Sequence, residues 1–275
     1  MTEAITLKTS DNLQLWGQLW SPEIPPKGII CLVHGFGEHV QRYHHVADAY
    51  NKAGYGFAGL DLRGHGKSGG KRGHTPSYNH LLGDFQLLIE WVEDKFSNLP
   101  LFLYGHSMGG NIAANLLLRS DKEQFKAAVI TSPWLRLRFD PPKIKVAMGR
   151  LVRKIYPKYS EHNELNPDHL SRDTAVGKAY EEDPLVNHKI TTETYFSIVE
   201  AGEWALQNAT PLPIPVLIMH GSDDPITSPE ASEKFAGKMN AEFRIWKGMY
   251  HETHNEIGKE EVIDTMVQWV KSNQP

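Results

Sequence analysis

Apolar and polar residues alternate over residues 13–20, the period-two signature of a strand with one face toward water, and Pro22, Pro25 and Pro26 stop it. Such a strand belongs near the edge of a sheet. Three uninterrupted apolar runs follow at residues 29–33, 55–60 and 101–104, the pattern of parallel strands buried on both faces. Helical patterning fills the gaps between them, notably over residues 43–53 and 78–96. Two more apolar runs, 127–130 and 216–219, extend the series, and residues 243–246 supply a last short strand before a closing helix over 260–270. Strands alternating with helices predict an α/β fold, a mostly parallel sheet with helices on both faces.

Residues 133–211 break this rhythm. They hold several prolines and no clear buried strand, so they read as an insertion dividing a core made of residues 1–132 and 212–275. Within it, residues 141–156 are basic and amphipathic, with Ile144, Met148, Leu151, Val152 and Ile155 on one helical face and Lys143, Lys145, Arg150, Arg153 and Lys154 mainly elsewhere. Arg136, Arg138 and Lys158 add to the charge, and Asp140 is the single acid nearby. Such a helix could meet an anionic lipid surface while its apolar side lines an acyl entrance. A lid helix packed on the core with a solvated charged face fits the same pattern.

Composition narrows the function classes. The chain has 275 residues, 40% hydrophobic and 23% charged, with a formal net charge of -4, as in an ordinary soluble globular protein. No global basic face is available for phosphate, so nucleic acid is not an expected partner. Cys31, the only cysteine, lies in a buried-strand run and rules out an intrachain disulfide. The first residues lack a basic stretch followed by an apolar one, and no run reaches membrane-spanning length. A cytoplasmic location is expected, with peripheral membrane contact left open and the oligomeric state unassigned.

The chemistry is concentrated in Gly105-His106-Ser107-Met108-Gly109, a G-x-S-x-G motif set between a predicted strand and a helical stretch. There a sharp turn lifts the serine hydroxyl above the sheet, and small residues two positions away on either side avoid a clash. A serine hydroxyl is a weak nucleophile at neutral pH, so it needs a base within hydrogen-bond reach and a third group to orient that base. Asp223 and Asp224 follow the strand at 216–219, and His251 and His254 follow the strand at 243–246, which gives the chain order serine, acid, histidine. Either acid could face the imidazole, and either histidine sits in the right loop; Asp224 and His251 are preferred. An oxyanion hole needs two N–H donors, for which the amides of Met108 and Phe36, in His34-Gly35-Phe36-Gly37, are the candidates. Glu38, Arg42 and His254 are candidates for supporting the site or touching the substrate.

Taken together, His34-Gly35-Phe36-Gly37-Glu38-His39, Asp61-Leu62-Arg63-Gly64-His65-Gly66-Lys67-Ser68, Gly105 to Gly110, Gly221-Ser222-Asp223-Asp224 and Tyr250-His251-Glu252-Thr253-His254 resemble the monoacylglycerol lipase and lysophospholipase branch of the α/β-hydrolases, relatives of the serine aminopeptidase S33 type. The similarity spans nearly the whole chain. It implies an α/β-hydrolase fold with a mostly parallel eight-stranded sheet and a helical cap in the insertion. It further implies Ser107 as nucleophile, Asp224 rather than Asp223 as acid, His251 as base, and Phe36 and Met108 as oxyanion donors.

The expected activity is hydrolysis of carboxylic esters through an acyl-enzyme, with monoacylglycerols or other single-chain lipid esters as substrates. Lysophospholipase, small-ester esterase and serine aminopeptidase activities use the same core motifs and stand as alternatives. A non-catalytic relative need not keep the serine, acid and histidine together. No cofactor or metal is expected: His251 and His254 are three apart, whereas a zinc helix of the H-E-x-x-H type spaces its histidines four apart.

Overall fold

The computed structural model describes residues 1–119 and 124–274. Its strands in chain order are β1 (Thr2–Lys8), β2 (Gln14–Trp20), β3 (Ile29–Val33), β4 (Gly56–Leu60), β5 (Leu101–His106), β6 (Ala127–Thr131), β7 (Ser160–His162), β8 (Lys189–Thr191), β9 (Val216–Gly221) and β10 (Glu242–Trp246). The helices are α1 (His44–Lys52), α2 (Tyr78–Lys95), α3 (Met108–Arg119), α4 (Lys143–Ile155), α5 (Thr174–Glu182), α6 (Thr192–Asn208), α7 (Pro229–Met239) and α8 (Lys259–Ser272). Eight strands form one sheet in the order β1-β2-β4-β3-β5-β6-β9-β10. From β4 to β10 every neighbouring pair is parallel, and β1 and β2 add an antiparallel edge.

Pleating divides each central strand between two cores. Ile29, Cys31 and Val33 of β3 pack in one apolar cluster with residues of α2, α3, α6 and α7, while Ile30 and Leu32 pack in another with residues of α1 and α8. That is why the buried strands read as unbroken apolar runs: neither face meets water. The loops following β3, β5, β9 and β10 all leave the carboxyl ends of parallel strands, the edge at which open α/β sheets place their sites.

The periodic pattern does not announce β1. Only Ile5 is buried and Leu7 half-buried in it, with Thr2, Glu3, Ala4 and Thr6 exposed, so its place comes from seven-residue antiparallel pairing with β2. The interval 133–211 is heterogeneous. It carries the two-stranded antiparallel sheet of β7 and β8 as well as α4 and α5. Its last helix, α6, packs back on the molecule, and Ile198, Ala205 and Leu206 join the same core cluster as Ile112 of α3. No helix among the described residues is long and apolar enough to cross a membrane.

Candidate active site

Ser107 sits at the turn between β5 and α3 with φ at +53°, a left-handed backbone that a residue with a Cβ adopts at a cost of about 1–3 kcal/mol. The surroundings hold it there. Its N–H donates to the Thr131 carbonyl at 3.0 Å, and its carbonyl accepts from the amides of Asn111 at 3.0 Å and Trp134 at 2.9 Å. A Cβ on Gly109 would come within 2.0 Å of the Val33 carbonyl oxygen, and one on Gly105 within 2.6 Å of the Gly109 carbonyl oxygen, so only glycine permits this close crossing of helix and strand.

His251 lies between the serine and the acid. Its Nε2 is 2.9 Å from Ser107 Oγ and its Nδ1 is 2.7 Å from Asp224 Oδ2. A carboxylate oxygen only accepts, so Nδ1 carries the proton and Nε2 is left to accept from the serine hydroxyl. Burial opposes charge on His251, but the Asp224 charge and hydrogen bond outweigh it and raise the imidazole above its ordinary value. Burial likewise opposes ionisation of Asp224, and the charge of His251 with hydrogen bonds from His220 and His251 holds its carboxyl well below the usual range. Asp223 is exposed and accepts from Ser222 Oγ at 2.6 Å. Of the two neighbouring acids, the structure brings Asp224 to the imidazole.

The loop after β3 is pinned from several sides. The Gly35 amide donates to Glu38 Oε1 at 2.6 Å, Tyr43 Oη donates to the same oxygen at 2.6 Å, and the Phe36 ring meets His65 edge-on at 5.1 Å. Phe36 and Ser107 border the same cavity. Met108 is the first residue of α3, where an amide has no carbonyl partner within the helix. Arg42 bridges Glu38 Oε2 at 2.8 Å and binds both Glu252 oxygens at 2.7 and 2.8 Å, tying this loop to the one that carries His251. Burial pushes Glu38 up despite Arg42. Burial would also raise Glu252, but the charge and bidentate hydrogen bonds of Arg42 outweigh it and hold Glu252 at about 2.

The third supporting candidate behaves differently. His254 is fully buried, stacked on Tyr43 with ring centroids 4.9 Å apart and meeting His106 edge-on at 4.7 Å. Both its ring nitrogens lack hydrogen-bond partners among the described residues. Burial lowers its pKa well below the ordinary value.

A cavity of about 480 Å³ opens at Ser107, within the size range of small-molecule sites. Trp134, Leu137, Val146, Leu170, Tyr195 and Phe196 give it a largely apolar wall. Helix α4 is not oriented as its pattern suggested. Val146 and Gly149 border the cavity, while Ile144, Met148, Leu151 and Ile155 point into solvent, 76, 63, 60 and 76% exposed. The apolar stripe therefore lies on the outside of the molecule. The basic residues are also less free than the local sequence implied, because acids distant in the chain meet them: Arg136 pairs with Glu203, Arg138 with Glu230, Lys145 with Glu164, and Arg153 with Glu193 and Glu200.

Two residues that the motifs do not single out touch the acid. His220 Nε2 lies 2.9 Å from Asp224 Oδ2, and Thr227 Oγ1 donates to the same oxygen at 2.8 Å. The available signal was a histidine ending an apolar strand, a polar ring at a position whose neighbours are all buried.

A serine raised at a strand-to-helix turn on a mostly parallel sheet, with acid and histidine on later strand ends, defines the α/β-hydrolase class. A family model described as serine aminopeptidase, S33, matches residues 24–258. The chain belongs to that family of hydrolases. A monoacylglycerol lipase from Mycolicibacterium smegmatis is 33% identical over 259 residues, covering 93% of this chain and 92% of the relative. The crystal structure of a Paleococcus ferrophilus monoacylglycerol lipase matches with a TM-score of 0.86 at 32% identity, covering 94% of this chain and 99% of that one. An uncharacterized abhydrolase domain-containing protein from Dictyostelium discoideum is 34% identical over 98% of this chain, which spans only 29% of that relative's length.

Proposed function

We propose that the chain is a serine ester hydrolase acting on monoacylglycerols. The observation that carries this reading is His251 held between Ser107 Oγ at 2.9 Å and Asp224 Oδ2 at 2.7 Å. His251 Nε2 takes the hydroxyl proton as Ser107 attacks the ester carbonyl, and the amides of Phe36 and Met108 receive the negative charge that develops on the acyl oxygen. The protonated Nε2 then donates to the departing alcohol, leaving an acyl-serine. Water, activated by the same nitrogen, releases the acid and restores the serine.

An apolar cavity ending at the nucleophile supports a single acyl chain as the group held during reaction. Relatives named as monoacylglycerol lipases, similar over nearly their whole length, support glycerol as the alcohol. Residues 133–191 act as the cap over this cavity, and α6 belongs with the core beneath it. The outward apolar stripe of α4, continued by Phe139 and Tyr156, both more than half exposed, supports peripheral contact between this cap and a lipid surface.

Hydrolysis rates across monoacylglycerols, diacylglycerols, lysophospholipids, short aryl esters and aminoacyl amides test the substrate class. The reading expects monoacylglycerols to give the highest kcat/KM. A Ser107→Ala variant should keep the fold, lose nearly all turnover and resist labelling by a fluorophosphonate; retained turnover would remove Ser107 from the mechanism.

A further inference from the structure

Asp224 receives more hydrogen bonds than orientation of one imidazole requires. Its Oδ1 accepts from the amides of Ile226 at 2.7 Å and Thr227 at 3.1 Å, which fixes the carboxylate in the loop. Its Oδ2 is shared by His251 Nδ1 at 2.7 Å, Thr227 Oγ1 at 2.8 Å and His220 Nε2 at 2.9 Å. His220 is wholly buried, and its Nδ1 is anchored 2.8 Å from Ser232 Oγ on α7. Whatever charge the ring carries, Nε2 bears a proton, because the carboxylate oxygen facing it only accepts.

We propose that His220 is a positioning residue that sets the basicity of His251 through this shared oxygen. The proposal rests on the reading of Ser107, His251 and Asp224 as the catalytic set. Electron density that Oδ2 gives to the His220 N–H is withdrawn from the bond to His251 Nδ1–H, so the carboxylate stabilises the imidazolium less than an undivided one. The base is thereby kept nearer neutrality, where a general base is most effective. The ring of His220, wedged between Asp224 and Ser232, also stops Oδ2 from swinging out of line with His251.

The remaining charged and titratable groups facing His251 come from three other places: His106 on β5, Glu38 and Arg42 in the segment between β3 and α1, and Glu252 and His254 in its own loop. None of them bonds to Oδ2 of Asp224. A substitution at position 220 therefore changes one donor on the acid and leaves this field in place.

Two polar substitutions separate the roles of the two ring nitrogens. His220→Gln keeps an N–H where Nε2 stands and can still donate to Asp224; His220→Asn reaches only toward Ser232. On the acidic limb of the kcat/KM profile, His220→Asn should move the midpoint upward by about one pH unit, with His220→Gln returning it to the wild-type position. Proton NMR of the low-field His251 Nδ1–H, titrated without substrate, should rank the proteins in the same order. Where His220→Asn does not fold, His220→Leu removes the same donor and should give the same upward shift. In the wild-type protein, nitrogen-15 NMR should find Nε2 of His220 protonated throughout the active pH range. Superimposed limbs for wild type and His220→Asn, a Gln variant shifted as far as Asn, or an unprotonated Nε2 would overturn the proposal. Failure of wild-type Ser107 to react with a fluorophosphonate would instead strike the catalytic reading beneath it.

Discussion

Replacing Leu151 and Ile155 of α4 by glutamine tests whether the outward apolar stripe grips a lipid surface. Both side chains are already mostly in water, 60 and 76% exposed, so the folded protein loses almost no buried contact when they change. Glutamine also keeps a helix propensity close to that of leucine. The melting temperature should stay within about 2 °C of wild type. In a bilayer interface the same two side chains would leave water, each contributing about 1–2 kcal/mol at the usual free energy of apolar burial. Together that is about 2–4 kcal/mol, or about 30- to 1,000-fold in vesicle partitioning. Cosedimentation with phosphatidylcholine vesicles, with and without anionic lipid, reads this directly. Hydrolysis of a vesicle-borne monoacylglycerol should fall with binding while hydrolysis of a soluble short ester remains unchanged. Equal vesicle binding by variant and wild type would refute the reasoning, as would an equal loss of activity on both substrates.

Asp224→Asn should lower kcat by about 10³- to 10⁴-fold through loss of the charge and tautomer that His251 requires, whereas Asp223→Asn, at an exposed position, should stay near wild type in the same steady-state assay. Arg42→Leu leaves Glu38 and Glu252 buried without their shared cation, and thermal or urea unfolding should register a loss of about 3–5 kcal/mol; a loss under 1 kcal/mol would show that the ion cluster is not an energetic link between its loops. His34, His65, His106 and His254 are held below their ordinary value by burial, His65 at about 4. Between those folded values and the unfolded value near 6.5 the unfolded chain binds more protons, so their contribution to stability is present above about pH 6.5 and declines as pH falls. His251 is raised and acts oppositely, its contribution fading as pH rises through its folded value. His45 and His74 are lowered by burial as well, so six histidines among the described residues oppose one, and melting temperature should drop from pH 7 to pH 5; a flat or rising profile would contradict the assignment.

The strands that support the site were legible because they are buried on both faces and leave no polar interruption. The serine turn was legible for a different reason: the need for glycine at 105 and 109, although at 109 it is imposed by Val33 on a distant strand, is written within five consecutive residues. Choosing between Asp223 and Asp224 from the residues alone was harder, since adjacent positions in a loop share every local property and differ only in direction. The outward turn of α4 was not readable either. An amphipathic pattern states that two faces differ, and does not say which of them turns toward the core. The ion pairs of Arg136 and Arg153 escaped the local reading because Glu203, Glu193 and Glu200 lie 40 to 67 positions away. His220 escaped for a different reason, as its role depends on a carboxylate four residues later folding back over the end of its own strand.

The Arg42 bridge bears on how this protein can be recombined. Glu38 and Arg42 arrive from one end of the sequence and Glu252 from the other, yet both acids depend on the one cation. A chimera that imports the segment around 34–42 from a relative while retaining the native segment around 251–255 inherits half of a buried electrostatic agreement. Segment exchange, directed evolution by shuffling and grafting of either loop should therefore treat the two stretches as one unit of inheritance, with a crossover allowed anywhere between them only when both come from the same parent.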